Sequence, residues 1–254
     1  MNHRYFIRMS FVGTRYHGWQ RQHNAESVQS LLENALTVIL KSETEVTGAG
    51  RTDTGVHALE YWAHFDLPRS LEPDKCKKLV FSLNGYLPKD IGIREVVPVR
   101  PDAHARFSAL SRTYRYLVLR EKDPFLEGRA YYYPHGLDLE KMNAGAGILL
   151  HVSDFSSFVK SPSDAKTHIC RLSEAGWKEE GNLLVFTITA DRFLRNMVRA
   201  ITGTLIDLGR GKITRKDLAA IIRSRNRSAA GYSVPACGLY LAAIKYPEEI
   251  FTGF

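Results

Sequence analysis

The order in which the apolar residues switch between strand and helix spacing restricts the fold more than any other feature of this sequence. Residues 5–11 alternate in polarity, which predicts a half-buried strand. Residues 28–40 carry apolar side chains at i, i+3, i+4 and i+7 behind Ser27, a residue suited to an N-cap, so they predict an amphipathic helix. The next predicted elements are a short strand at 45–47, a strand at 60–66, a helix through 76–83 and a strand at 91–97.

This order, β-α-β-β-α-β, is that of the ferredoxin-like split unit. The rest of the chain follows a similar but less regular pattern: strands at 112–120, 183–190 and 238–246, and helices at 138–150, at 195–209 and after Thr214. We therefore predict an α+β fold with two ferredoxin-like, or RRM-like, halves whose sheets join. Residues 1–103 form the first predicted half and residues 104–254 the second.

The loop between the second and third predicted strands has the sequence GRTDTGVHA, residues 50–58. Gly50 and Gly55 have the spacing of a P-loop, but Val-His follows where Lys-Ser/Thr is required. The Rossmann pattern also fails, because Asp53 stands at its third glycine. We therefore expect no nucleotide cofactor. A hydrolytic triad with Asp53 and His57 remains open in principle, although the chain has no GxSxG elbow.

The residue types in this loop admit two interpretations of Asp53. It could be a turn residue that bonds its own backbone. It could also be an ionised nucleophile, because Arg51 lies two positions away and a nearby guanidinium favours the charged carboxylate. His57 has no companions at metal-ligand spacing, so we expect it to make a structural hydrogen bond, and we expect no metal site. Trp19 is expected in the core.

Charge and cysteine content restrict the partners and the compartment. The 254 residues include 35 Lys and Arg against 27 Asp and Glu, a formal charge of +8, which favours a polyanionic partner. The late basic residues form three groups: Arg192, Arg195 and Arg199; Arg210, Lys212, Arg215 and Lys216; and Arg223, Arg225 and Arg227. Three dispersed cysteines, no apparent signal peptide and no apolar run near the roughly 20 residues of a membrane span lead us to expect a cytoplasmic protein.

Several segments together resemble the tRNA pseudouridine synthase A (TruA) family. They are AGRTDTGVHA (49–58), GTRYHGWQRQ (13–22), SVQSLLENAL (27–36), LNGYLPKDI (83–91), HARFSALSRTYRY (104–116), DFSSF (154–158), FLRNMVRAITGTL (193–205) and GLYL (238–241). The resemblance runs in the expected order from about residue 9 to residue 246. The chain departs from the family at Val12, where members often have Asp, and KTHICR (166–171) is a loose match.

The resemblance implies isomerisation of uridine to pseudouridine in tRNA, at positions 38–40 of the anticodon stem-loop. Asp53 matches the catalytic Asp of the family, which would act at C6 of the base or at C1′. The resemblance also implies a pseudouridine synthase fold with a central cleft, and a homodimer that binds tRNA across both chains. No metal, nucleotide or redox cofactor has a role in that reaction.

Three further residues match substrate-binding positions of the family. Arg199 matches an Arg that pairs with the catalytic Asp, although a helix-surface Arg that binds phosphate would give the same pattern. Tyr114 matches the active-site Tyr that stacks on the flipped uracil, although a strand Tyr beside Tyr116 could also belong to the core. Arg51 matches the residue that fills the gap left by the extruded base, and its alternative is a plain loop partner for a carboxylate.

Two other functions fit parts of the sequence. Two RRM-like halves could bind RNA without chemistry, but that module is recognised by an RNP1 string, and none is found here. A paralogue of the same fold that modifies another position or another RNA also remains open, and the sequence discriminates poorly against it.

Overall fold

The computed structural model describes residues 3–160 and 165–252, and its backbone contacts divide the chain into two units. The first unit combines residues 1–110 with 241–254, and the second consists of residues 111–240. The division therefore differs from the predicted one, which had its boundary after residue 103 and assigned everything beyond it to the second half. The reason lies in the C-terminal residues: the Arg100 N–H donates to the Ile250 carbonyl at 2.8 Å, and Tyr246 donates its hydroxyl to the Ala105 carbonyl.

The first unit contains six elements in the predicted β-α-β-β-α-β order. They are β1 (His3–Phe11), α1 (Val28–Leu40), β2 (Thr47–Gly48), β3 (His57–Leu67), α2 (Pro73–Tyr86) and β4 (Ile91–Pro98). Strand β1 lies between β3 and β4 and is antiparallel to both, with Ile7 opposite Ala63 on one side and Val96 on the other. The short β2 pairs with Ala63 and His64 of β3, and the loop that follows β2 leads back into β3 at His57.

Strand β1 is half-buried over residues 7–11 as predicted, because Ile7, Met9 and Phe11 are buried while Arg8 and Ser10 are partly exposed, and the exception lies at Phe6. Tyr5, Ile7 and Met9 are buried on one face as expected, but Phe6 on the other face is also completely buried. Its ring contacts those of Trp62, Tyr246 and Phe251, with centroids 5.2–6.1 Å apart. Two of these rings come from the end of the chain, and no pattern within residues 5–11 carries that information.

The second unit contains seven elements along the chain. They are β5 (Ser111–Leu119), β6 (Tyr131–Tyr132), α3 (Leu139–Leu149), β7 (Leu172–Glu180), β8 (Leu183–Ala190), α4 (Met197–Gly209) and α5 (Arg215–Ser224). Strand β8 lies between β5 and β7 and is antiparallel to both, while β6 is parallel to β5. The last strand, β9 (Leu239–Lys245), begins with two residues of the second unit and continues in the first unit from Leu241. The fold is α+β, as predicted; that the second part repeats a ferredoxin-like unit remains a prediction.

The helix starts follow the predicted capping residues. The side chains of Ser27, Asp138 and Thr214 each accept a hydrogen bond from the backbone N–H three residues later, as N-caps do. Helix α4 begins two residues later than the predicted 195, because Asn196 has a left-handed backbone with φ +66°. Over residues 3–160 and 165–252, no helix is long and apolar enough to cross a membrane.

Candidate active site

The loop from Ala49 to Val56, called the Asp53 loop below, connects β2 to β3 and is fixed at both ends. The Ala49 N–H donates to the Trp62 carbonyl at 2.8 Å, and Tyr61 of β3 donates its hydroxyl to the Gly50 carbonyl. At the other end the Val56 N–H donates to the Asp53 carbonyl at 3.1 Å, which closes a four-residue turn. Gly55 is the third residue of that turn with φ +78°, a value that favours glycine and is typical of a type II turn.

A second segment, Gly13–Trp19, packs directly on the Asp53 loop and is called the clamp segment below. The Gly55 N–H donates to the carbonyl of Tyr16 at 3.3 Å. A Cβ atom added to Gly18, whose φ is +86°, would lie 2.2 Å from the Thr52 carbonyl oxygen. Glycine is therefore required at residue 18 both for its backbone conformation and for the close approach of two backbones.

The side chains of His57 and Trp19 complete this contact, and both have the structural roles predicted for them. His57 is buried, and its Nδ1 accepts a hydrogen bond from the Gly13 N–H at 2.9 Å, so it has the structural role expected for it. Trp19 is buried and stacks on Tyr61 with ring centroids 4.2 Å apart, so it belongs to the core.

The clamp segment is itself tied to the start of β4 through Asp90. Tyr16 donates its hydroxyl to the Asp90 carboxylate, and the Val12 N–H donates to the Asp90 carbonyl at 2.9 Å. Burial and the Asp90 carboxylate raise the pKa of Tyr16, so its hydroxyl keeps its proton at neutral pH. Val12 precedes a single helical turn and makes no side-chain cap there, whereas the Asp common in the family could do so.

The side chains of the Asp53 loop differ in exposure. Arg51 is exposed, and Asp53 is half-buried. The Asp53 carbonyl accepts the Val56 N–H, and the residue keeps part of its surface accessible to a ligand. The Thr52 Oγ1 atom is buried and has no hydrogen-bond partner within the part of the chain that the structure describes. A buried hydroxyl in that state costs about 1–3 kcal/mol until a partner arrives.

Tyr114 lies on β5 of the second unit, opposite Ile188 of β8. It is half-buried, and its ring meets the Phe193 ring edge-on with centroids 5.0 Å apart. Tyr116, two residues later, is completely buried and donates its hydroxyl to the Pro235 carbonyl at 2.8 Å. The core role considered for a strand tyrosine therefore belongs to Tyr116, while Tyr114 keeps an accessible surface.

Arg199 lies in the first turn of α4 and is anchored by the loop that precedes β9. Its Nε donates to the Val234 carbonyl at 2.8 Å, and the Val234 N–H donates back to the Arg199 carbonyl at 3.3 Å. Arg199 as a whole is half-buried rather than exposed. Its orientation is thus restrained by the backbone of the 230–235 loop.

Two residues that sequence reasoning did not single out hold this 230–235 loop. Arg227 donates to the Gly231 carbonyl at 3.0 Å and to the Ser233 hydroxyl at 2.8 Å. Asn196 donates to the same hydroxyl at 2.6 Å. In the sequence Arg227 belongs only to the last group of basic residues, and the three small residues and Gly231 that follow it give no signal of this role. Asn196 is the residue before α4, and because Asn is common at helix starts, its residue type could have indicated this position.

The remaining basic groups are mostly exposed, as a solvated or RNA-facing surface requires. Arg195, Arg210, Arg215, Lys216 and Arg223 are exposed. Arg225 is paired with Asp154 at 2.9 Å, and Lys212 with Asp207 at 3.4 Å. Among residues 3–160 and 165–252, no three His, Cys, Asp or Glu side chains are grouped so that they could hold a metal ion.

The structure thus brings Arg51 and Asp53 together in one loop of the first unit, and it gives Tyr114 and Arg199 restrained positions in the second. Comparison with known proteins then decides the family. The model of the family described as tRNA pseudouridine synthase matches residues 7–108 and 152–247. The chain belongs to the tRNA pseudouridine synthase family. Its members are isomerases that form pseudouridine in tRNA, and this chain is accordingly an isomerase.

Similar proteins of this family cover the whole chain. The tRNA pseudouridine synthase A of Bacteroides fragilis is 50% identical over 249 residues, which are 98% of each chain. That of Porphyromonas gingivalis is 50% identical over 98% of this chain and 99% of its own. A more distant one, from Acetivibrio thermocellus, is 40% identical over 94% of this chain and 97% of its own. The resemblance predicted from the motifs is confirmed.

Proposed function

We propose that this protein isomerises uridine to pseudouridine at positions 38–40 of the tRNA anticodon stem-loop, with Asp53 as its nucleophile and without a cofactor. The observation that carries the proposal is the geometry of the Asp53 loop in a chain of this family. A half-buried carboxylate stands on a loop whose backbone is held by Tyr61, Tyr16 and Gly18. Such restraint is what a nucleophile that must attack one atom of a bound nucleotide requires.

The reaction itself explains why no cofactor is proposed. The N1–C1′ glycosidic bond breaks, the uracil turns, C5 bonds to C1′, C5 loses its proton and N1 gains one. Substrate and product contain the same atoms in the same oxidation state, and no phosphoryl group moves. Covalent or near-covalent attack by Asp53, at C6 or at C1′, would divide this exchange into two easier steps.

The substrate must also present its base to the carboxylate. A uridine within an A-form stem has to be extruded, which costs a few kcal/mol of stacking and pairing. We propose that Arg51, exposed on the same loop, occupies the gap that the base leaves. The Thr52 hydroxyl, which has no hydrogen-bond partner among residues 3–160 and 165–252, supports the view that the loop completes its hydrogen bonds only with a ligand present.

The second unit contributes two proposed substrate-binding residues. Tyr114 keeps an accessible ring, restrained by Phe193, that suits stacking on the uracil. Arg199 has its guanidinium held by the Val234 carbonyl and is proposed to act on the Asp53 carboxylate or on the RNA. We further propose that the protein acts as a homodimer on tRNA, as the family resemblance implies, and that it acts in the cytoplasm, as its dispersed cysteines lead us to expect.

The first experiment tests the nucleophile with unmodified tRNA transcripts and no added cofactor. Pseudouridine is mapped by selective chemical labelling for the parent, for Asp53→Asn and for Asp74→Asn, whose side chain is exposed in the first turn of α2. Asp53→Asn should lose the product by many orders of magnitude and still bind tRNA, because it keeps the shape and removes the charge; each tenfold in rate is about 1.4 kcal/mol of barrier. Asp74→Asn should match the parent.

More than a trace of pseudouridine from Asp53→Asn would refute the nucleophile. Product at another position would instead assign the protein to a different target, the second possibility left by the sequence. Absence of any product from the parent would refute the proposed function as a whole.

A second experiment distinguishes the roles of Arg199 and Tyr114 by single-turnover pH–rate profiles. If Arg199 acts on the Asp53 carboxylate, Arg199→Ala removes an opposite charge that favours the ionised carboxylate, and activity falls most at mildly acidic pH. A loss equal at every pH would assign Arg199 to the RNA. Tyr114→Phe keeps the ring, so it should retain affinity and lose turnover only if the hydroxyl moves a proton.

A further inference from the structure

Residues His104–Ser108 of the first unit, called the HARFS segment below, form an unusually well-fixed loop. The Ala105 N–H donates to Nδ1 of His64 at 3.1 Å, and the Arg106 N–H donates to Nδ1 of His104 at 3.0 Å. His104 and Ser108 exchange two further hydrogen bonds at 2.9 Å each, from the His104 N–H to the Ser108 hydroxyl and from the Ser108 N–H to the His104 carbonyl. Two imidazoles therefore restrain the backbone of this segment.

What this fixed segment presents to solvent is an aromatic ring beside a guanidinium. Phe107 is 74% exposed, and Cζ of Arg106 lies 5.4 Å from the centroid of its ring. The His104 ring lies 4.4 Å from the same ring and limits its movement. A large apolar side chain held at the surface by a rigid backbone is arranged for contact rather than for the core.

The chemistry of the pair indicates what it contacts. Aromatic rings stack on nucleobases, and a guanidinium binds phosphate and stacks as well. The chain carries a net charge of +8, which favours a polyanion over another basic protein surface. Only a base without a paired and stacked neighbour offers a free face, so the ligand has to be an unpaired nucleotide.

The position of the segment separates this nucleotide from the target uridine. Asp53 lies in the turn that closes at Val56, directly before β3 begins at His57, whereas the HARFS segment is bound at His64, seven residues further along the same strand. At about 3.3 Å per residue, the two places are roughly 20 Å apart along β3. A base on Phe107 is therefore a different nucleotide from the one presented to Asp53.

We propose that Arg106 and Phe107 form a second nucleotide-binding platform, on which an unpaired base of the tRNA stacks on Phe107 while Arg106 binds its phosphate. The proposal rests on the proposed function for its RNA substrate. It adds a contact outside the reacting nucleotide that contributes affinity and register. The binding energy comes from stacking, so it depends on the ring and not on the identity of the base.

The test compares tRNA affinity across four proteins at one fixed salt concentration. They are the parent, Phe107→Ala, Phe107→Trp and the control Phe81→Ala. Phe81 lies on α2 and is 83% exposed, and within the described residues no Arg guanidinium lies over its ring. Phe107→Ala should weaken binding by about 5- to 150-fold, the range that corresponds to one stacked base. Phe107→Trp should stay close to the parent, and Phe81→Ala should not change.

Two further measurements identify the mode of binding. Arg106→Gln should reduce the slope of log affinity against log salt by about 0.7–0.9, the share of one phosphate. The single-turnover rate of Phe107→Ala at subsaturating enzyme should fall by the same factor as its tRNA affinity, because the lost contact is one of binding.

Parent-like tRNA affinity in Phe107→Ala would overturn the platform, even if the parent forms pseudouridine normally. A change of Phe107→Ala from dimer to monomer in sedimentation would also overturn it, by assigning the ring to an interface between copies. If the parent binds tRNA through Phe107 but forms no pseudouridine, the proposed function fails and the platform stands.

Discussion

Lowering the pH from 7 to 5 should destabilise the first unit through one buried histidine. His64 is 6% exposed and accepts the Ala105 N–H at Nδ1, so its imidazole is neutral in the folded chain. Burial, and then the charges of Arg4 and His104, lower the pKa of His64 to about 4, while Asp66 acts weakly in the opposite direction. Protonation at Nδ1 would also remove the acceptor that fixes the HARFS segment.

The magnitude follows from the difference between the folded pKa and the ordinary value of about 6.5. Between pH 6.5 and 4 the unfolded chain binds a proton at His64 that the folded chain does not, so the free energy of unfolding falls as the pH falls. The stability is fully present above pH 6.5. Roughly 2 kcal/mol should be lost between pH 7 and pH 5, and about 3 kcal/mol by pH 4, at about 1.4 kcal/mol per pKa unit.

The assay is urea unfolding followed by tryptophan fluorescence at pH 7, 6 and 5. His64→Asn places an amide oxygen near the position of Nδ1, which can still accept the Ala105 N–H and cannot titrate. The variant should be less stable at pH 7, since it loses ring packing against Phe6, but its stability should fall by about 2 kcal/mol less on acidification than that of the parent. The control, His23→Asn, changes an exposed histidine and should behave as the parent. Equal losses in the parent and in His64→Asn would refute the reasoning.

Four further substitutions test the packing of the site and of the second unit. Gly18→Ala should destabilise the chain by more than about 1 kcal/mol in thermal unfolding and reduce turnover, because the added methyl meets a backbone oxygen at 2.2 Å. In α3, Gly145→Ala should destabilise, since its Cβ would lie 2.4 Å from a leucine methyl, whereas Gly147→Ala has open space and should stabilise by up to about 1 kcal/mol. Tyr61→Phe removes the donor to Gly50 and should lower turnover about 2- to 10-fold at unchanged tRNA affinity.

The elements that could be predicted from the sequence are those whose signals are local. Strand β8 was predicted at its observed bounds, since a turn precedes it and its apolar run is short. The three N-caps were also found, because a capping side chain bonds a backbone group only three residues away. Helix periodicity and caps are properties of short windows.

What could not be predicted depends on partners distant in the chain. Strand β7 was not expected, because only Trp177 of its nine residues is buried and its polar sequence resembles a surface loop. Phe6 was assigned to an exposed face, because the residues that cover it follow more than 200 positions later. The boundary of the observed units differs from the predicted one for the same reason, because residues 241–254 belong to the first unit.

In the candidate site, too, the contacts that could be predicted are those between residues close in sequence. Arg51 and Asp53 are close in sequence, so their proximity could be predicted from the loop alone. The clamp segment could not, because the contact of Gly18 with Thr52 joins residues more than 30 positions apart. The roles expected for Tyr114 and Arg199 came from the resemblance, and their local sequence favours core and surface positions equally.

Glycine stands at residues 50 and 55 of the Asp53 loop for two different physical reasons, and the difference bears on function. Gly55 is required by its turn, with φ +78°. Gly50 has no such backbone, and a Cβ added to it would meet nothing within 4 Å. Its carbonyl is held by Tyr61, so the loop at residue 50 is fixed while the space beside it stays open. Folding therefore does not require a glycine at residue 50, whereas the close approach of a second backbone does. We expect this open space to admit the backbone of an RNA strand next to the Asp53 carboxylate.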